Sequence, residues 1–90
     1  MEERYGFTQQ IRRAAVSVSR NVAEGTGRAT TPDLLNFLSH SRGSVKETES
    51  LLIVAQRVEL LLPTDAEKAM HLTDEVSRML TAFRARLKSR

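Results

Sequence analysis

Ninety residues and 10.1 kDa make one domain, because domains run from about 50 to 250 residues. A chain this short buries only about 60–65% of the surface its unfolded form exposes, which makes it a candidate for self-association. With no cysteine, no tryptophan and 4% aromatic residues, disulfides, thiolate metal sites and an aromatic-lined pocket are excluded or disfavoured. The net charge of +3 is mild for a dedicated nucleic-acid binder, so its distribution along the chain matters more than its size.

In chain order, Ile11, Ala14, Ala15, Val18 and Val22 recur at helical spacing and predict an amphipathic helix over residues 8–24. Thr8 is placed to cap it, and Gly25 to end it in a left-handed conformation. Residues 25–31 form the loop. Thr31-Pro32-Asp33 then combines a capping hydroxyl, a proline at the first helical position and an acid that suits the helix dipole. Leu34, Leu38, Ser41, Val45, Thr48, Leu52 and Ala55 alternate four and three apart, a heptad stripe that predicts a long second helix over residues 32–61. Its centre is small and polar, and the hydroxyls of Ser41, Ser44 and Thr48 need partners. A closed homo-oligomer burying an exposed strip of this helix is the expected source of them. Thr64-Asp65-Ala66-Glu67 reads as a capping box opening a third helix over residues 65–88. Its expected core face is Ala69, Leu72, Val76, Leu80, Phe83 and Leu87, with Met79 beside Leu80. The fold class is all-α: an up-and-down helical bundle in a single domain, residues 1–90, with the first two helices antiparallel across their short loop.

Charge is segregated. Between residues 4 and 28 five arginines face Glu24 alone; residues 29–77 carry four cations and eight acids; residues 78–90 carry five cations and no acid. The start, Met1-Glu2-Glu3-Arg4, lacks the basic and then apolar character of a secretory signal. The run Leu51–Ala55 falls far short of the roughly 20 residues of a membrane span. No membrane association and a cytoplasmic location are expected.

Chemistry is sparse. A carboxylate-bridged di-iron bundle needs Glu-x-x-His pairs, whereas Phe37 and Lys68 stand three residues before His40 and His71. Glu67, His71 and Glu75 share a helical face, better read as a solvated face than as a metal site. There is no Gly-x-Ser-x-Gly elbow and no phosphate-binding Walker loop. Catalytic residues, metals and cofactors are therefore not expected. Gly25-Thr26-Gly27-Arg28 could hold an anion at the next helix start, but an ordinary cap explains it better. Arg12, Arg13 and Arg20 project away from the Ile11–Val22 face. They either pair with Glu24 and Glu47 or form a phosphate-binding stripe, to which Arg28, Arg84 and Arg86 would add. The tail Arg84, Arg86, Lys88 and Arg90 also suits a solvated helix end. Tyr5 and Phe7 can stack on bases or anchor a loop in the core, the reading preferred here; Phe37 and Phe83 read as core.

Residues Tyr5–Val18, continuing through Asn21-Val22-Ala23-Glu24-Gly25 and Gly27-Arg28, with Phe37-Leu38, Gly43-Ser44 and Glu47 further on, closely resemble one family. It is the family of bacterial four-helix-bundle proteins encoded in intervening sequences of 23S ribosomal RNA genes. The resemblance spans residues 4 to about 55. It implies a bundle that assembles into a homo-oligomer, a pentameric ring, with no known catalytic activity. Members usually carry a further amphipathic helix before the Arg-Tyr-Gly stretch, so this chain holds three helices of a four-helix pattern, without the first. They commonly have proline where Ser19 stands, so a kink expected there is absent. Related accessory proteins of diversity-generating retroelements bind a reverse transcriptase and nucleic acid through basic surfaces. Two functions follow as expectations: an RNA-binding oligomer, or a scaffold whose partner is another protein such as a reverse transcriptase.

Overall fold

In the computed structural model, which describes residues 2–89 with side chains from Tyr5 onward, the chain forms three helices: α1 (Glu2–Thr26), α2 (Thr31–Arg57) and α3 (Pro63–Lys88). No strand occurs among the described residues. Helix α2 is the middle element. Both α1 and α3 pack along it, and among the described residues no Cα of α1 comes within 8 Å of one in α3. The result is an open, elongated layer of 47 × 21 × 13 Å.

Why α2 is central follows from its stripe. Leu38, Ser41, Ser44, Val45, Thr48, Leu52 and Ala55 are all buried, one edge of the stripe turned to α1 and the other to α3. Along the α1 edge the small side chains let the two helices approach closely, and their hydroxyls are satisfied within the chain. Ser41 Oγ donates to the Val18 carbonyl at 2.8 Å, Ser17 Oγ and Ser44 Oγ lie 2.8 Å apart, and Thr48 Oγ1 donates to the Ser44 carbonyl at 2.8 Å. Asn21 Nδ2 adds a bond to the Ser17 carbonyl. This corrects the expectation that an oligomer supplies the partners. On the other edge Leu38 and Val45 meet Leu80 and Leu87 of α3 in the core, with Val18, Val22, Leu34, Leu35 and Phe83 against it.

The helix ends differ from the sequence expectation in five places. Helix α1 begins at Glu2, so Thr8 lies inside it, and Tyr5 is 68% exposed on its surface, bonded to Gln9. The Tyr5-Gly6-Phe7 stretch is helix and not a loop, because nothing in it forces a break: a Cβ on Gly6 would meet nothing within 4 Å. Gly25 is helical, with no glycine of the chain at positive φ. Its role is steric, and it is buried where α1 crosses Leu34 and Phe37. Thr30, one residue earlier than expected, is the N-cap of α2, accepting from the Asp33 amide. Helix α2 ends at Arg57, four residues early, where Glu59 takes φ 60° and the Leu60 amide turns back to the Ala55 carbonyl at 2.8 Å. In α3 the N-cap is Leu62 without a side-chain cap, because Pro63, with its fixed φ and no N–H to satisfy, takes the first turn. Thr64 and Glu67 consequently lie inside the helix and make no capping box.

Candidate functional site

Two surfaces stand out. The first is the outer face of α1. Ala14 is buried against α2 and Ile11, Ser17, Val18, Asn21 and Val22 are half-buried there. At 100° per residue this leaves Arg12, Arg13 and Arg20 on the opposite side, Arg13 and Arg20 within about 20° of each other and roughly 10 Å apart along the axis. All three are exposed, and none has an ion-pair partner within 4 Å among the described residues. Glu24, the acid expected to neutralise Arg20, is instead 3.7 Å from Arg28. Arg28 also rests over the Phe37 ring, 4.7 Å from its centroid, a cation–π contact that holds this loop residue in place. The pairing of Arg13 with Glu47 is not formed. Arg12, Arg13 and Arg20 therefore present charge that no described acid compensates.

The two C-terminal arginines separate. Arg84 lies half-buried against α2, its Nη2 bonded to Ser39 Oγ at 3.2 Å and its Nε buried without a partner. Arg86 is exposed. Arg90 lies outside the described residues. Lys88 and Arg86 occupy the last turn of α3, where cations suit the helix dipole. His71 Nε2 approaches Glu75 Oε1 at 3.0 Å, and among the described residues no cluster of three His, Asp or Glu side chains is placed to hold a metal ion.

The second surface is one that sequence reasoning misplaced. It expected a single core face on α3, and an exposed strip on α2. The heptad stripe of α2 is covered, leaving Ile53 and Val54 exposed near its end, and α3 carries two stripes: Ala66, Leu80 and Leu87 are buried against α2, while Leu72 and Met79 are 62% and 67% exposed. With Val76 and Phe83 they flank an apolar groove whose other wall is Ala15, Val18 and Val22 of α1. The groove contains two hollows of about 140 and 420 Å³, with Val18 and Val76 lining both. Its cause is topological: α1 and α3 each contact α2 and leave open the space between themselves. The signal available in the sequence was the offset between Leu72-Val76-Met79 and Ala66-Leu80-Leu87, about 60–90° of helix rotation. Among the described residues no helix is long and apolar enough to cross a membrane.

The fold and these surfaces define an all-α, open helical bundle with one basic face and one apolar groove. The model of the 23S rRNA-intervening sequence protein family matches residues 1–82; the chain belongs to that family. A comparison with curated proteins finds no match.

Proposed function

We propose that this protein is a non-enzymatic RNA-binding bundle, gripping the phosphate backbone with Arg12, Arg13 and Arg20 on the outer face of α1. The observation that carries the reading is that these three side chains are exposed and lack acidic partners among the described residues, the condition under which arginine is free to replace counterions on phosphate. Membership of a family named for its place in a ribosomal RNA gene supports RNA as the polyanion. Arg28 and Arg86 extend the basic surface. Arg84, folded onto Ser39, serves packing. Few aromatics are exposed, so binding is backbone-directed and weakly selective. Self-assembly into a ring, a pentamer by resemblance to the family, would repeat the α1 face and raise its grip by avidity. The protein acts in the cytoplasm, where its RNA is made. The test is titration of the full chain into a structured ribosomal RNA fragment across a salt series. Binding that weakens steeply from about 50 to 200 mM salt is expected; no shift at the lowest salt overturns the reading.

The apolar groove favours a second reading, a scaffold that docks a protein partner. Soluble proteins rarely leave large contiguous apolar patches uncovered, and Leu72 and Met79 are both more than half exposed.

A further inference from the structure

We infer that the Arg28–Phe37 stack at the corner between α1 and α2 receives an unpaired guanine of the bound RNA, which stacks on the open face of the Arg28 guanidinium and donates from its Watson–Crick edge to Glu24. This rests on the RNA-binding reading and adds one base contact to a grip that is otherwise on phosphate.

The platform is built from the core outward. Phe37 is half-buried, and α1 abuts it so closely that a Cβ on Gly25 would stand 2.9 Å from the Phe37 Cβ. The His40 ring meets Phe37 edge-on, with centroids 6.2 Å apart and planes at 62°. Arg28 lies over the Phe37 ring, 4.7 Å from its centroid. One face of the guanidinium is thereby covered, while the side chain remains 47% exposed. A guanidinium plane held on an aromatic ring is a surface on which an unpaired base stacks.

Its place on the molecule says what reaches it. At 100° per residue Arg13, Arg20 and Glu24 fall within about 40° of one another on α1, and Glu24 stands about 6 Å past Arg20 along the axis. A strand whose phosphates follow the arginines therefore arrives at Glu24 and Arg28. Glu24 is the one acid between residues 4 and 28, and a carboxylate at the end of the stripe repels a further phosphate. What it favours is a base edge with N–H donors, because an ionised carboxylate only accepts hydrogen bonds.

That chemistry selects the base. Guanine presents two neighbouring donors, N1–H and the N2 amino group, which match the two oxygens of a carboxylate. Adenine and cytosine set a ring-nitrogen acceptor beside their amino group, and uracil sets a carbonyl on either side of its N3–H. Each of these turns a lone pair toward the carboxylate. Glu24 has the capacity to respond: at 3.7 Å its contact with Arg28 is an ion pair and too long for a hydrogen bond, and its side chain is 58% exposed.

The experiment uses fluorescein-labelled single-stranded RNAs of about seven nucleotides, uridine throughout or with one central guanine, inosine, adenine or cytosine. Fluorescence anisotropy with the full-length chain at low salt should show the guanine RNA binding at least about fivefold tighter than the adenine or cytosine RNA. Inosine, which lacks the N2 amino group, should fall between. Glu24→Gln should abolish the preference, since its amide also serves adenine and cytosine. Arg28→Lys keeps the charge and loses the plane; it should weaken the guanine RNA at least about fivefold without altering its salt slope. Both variants should keep the helix content seen by circular dichroism, because both side chains are about half exposed. Salt-sensitive binding that is equal for all the RNAs overturns the base contact and leaves the phosphate grip. A guanine preference that survives Glu24→Gln, or an Arg28→Lys variant that binds as tightly as the parent, also overturns it. Guanosine monophosphate should compete only far above the concentration at which the unlabelled guanine RNA does; equal potency makes this a nucleotide pocket and overturns the inference. If no RNA binds at the lowest salt, the RNA-binding reading falls and the inference with it.

Discussion

A Cβ built on Gly25 would stand 2.9 Å from the Cβ of Phe37 and 3.0 Å from Leu34 Cδ1. This marks α1 and α2 as tightly abutted next to their connecting loop, and a side chain there meets a neighbour that cannot swing away. Gly25→Ala should therefore destabilise the protein by about 1–3 kcal/mol, even though alanine favours helix. Urea unfolding followed by circular dichroism measures it; a stabilised variant would show that the two helices can part at no cost.

Gly43 gives the opposite expectation. It lies mid-way along α2 on the exposed side, and an added Cβ would meet nothing within 4 Å. Gly43→Ala should raise stability by about 0.5–1 kcal/mol through helix propensity and a less flexible unfolded chain. The same unfolding experiment decides the sign.

Ser17 and Ser44 share one hydroxyl–hydroxyl bond across the α1–α2 seam. A double-mutant cycle with Ser17→Ala and Ser44→Ala should return a coupling of about 0.5–1.5 kcal/mol. Strict additivity would mean that both hydroxyls are served by water instead.

Replacing Arg12 and Arg20 together by alanine should leave helix content intact, since both side chains are exposed and without ion-pair partners among the described residues. RNA affinity should fall and the slope of log affinity against log salt should flatten by about 1.4–1.8, the release of two phosphate contacts. An unchanged slope would remove these arginines from the interface.

Light scattering at micromolar concentration should return a multiple of the 10.1 kDa chain mass, five by resemblance to the family. A monomer mass would end the ring proposal.

The stripe of α2 was legible because both of its neighbours use it, so from Leu38 to Ala55 every residue of the heptad is buried and the pattern has one meaning. The stripes of α3 were not. Leu72, Val76 and Met79 sit close enough in rotation to Ala66, Leu80 and Leu87 that a periodic reading merges a buried face with an open one. Topology, and not propensity, separates them. The helix starts show a local competition of the same kind: Thr64 offers a capping box, but Pro63 begins the helix first and encloses it. At the basic face the arginines could be named from sequence, whereas their partners could not. Glu24 is four residues from both Arg20 and Arg28, and Arg28 takes it because the Phe37 ring already holds its guanidinium nearby.

Because α1 and α3 each lie along α2, with no Cα of one within 8 Å of the other among the described residues, the cooperativity of this molecule is close to that of a short linear array. Loss of α3 removes the Leu80–Leu87 contacts but leaves the serine-linked α1–α2 hairpin whole. Loss of α2 dissolves everything. Hydrogen exchange should accordingly resolve two opening units: amides of α3 exchanging through a partial opening, and those of α1 and α2 surviving to the higher free energy of complete unfolding.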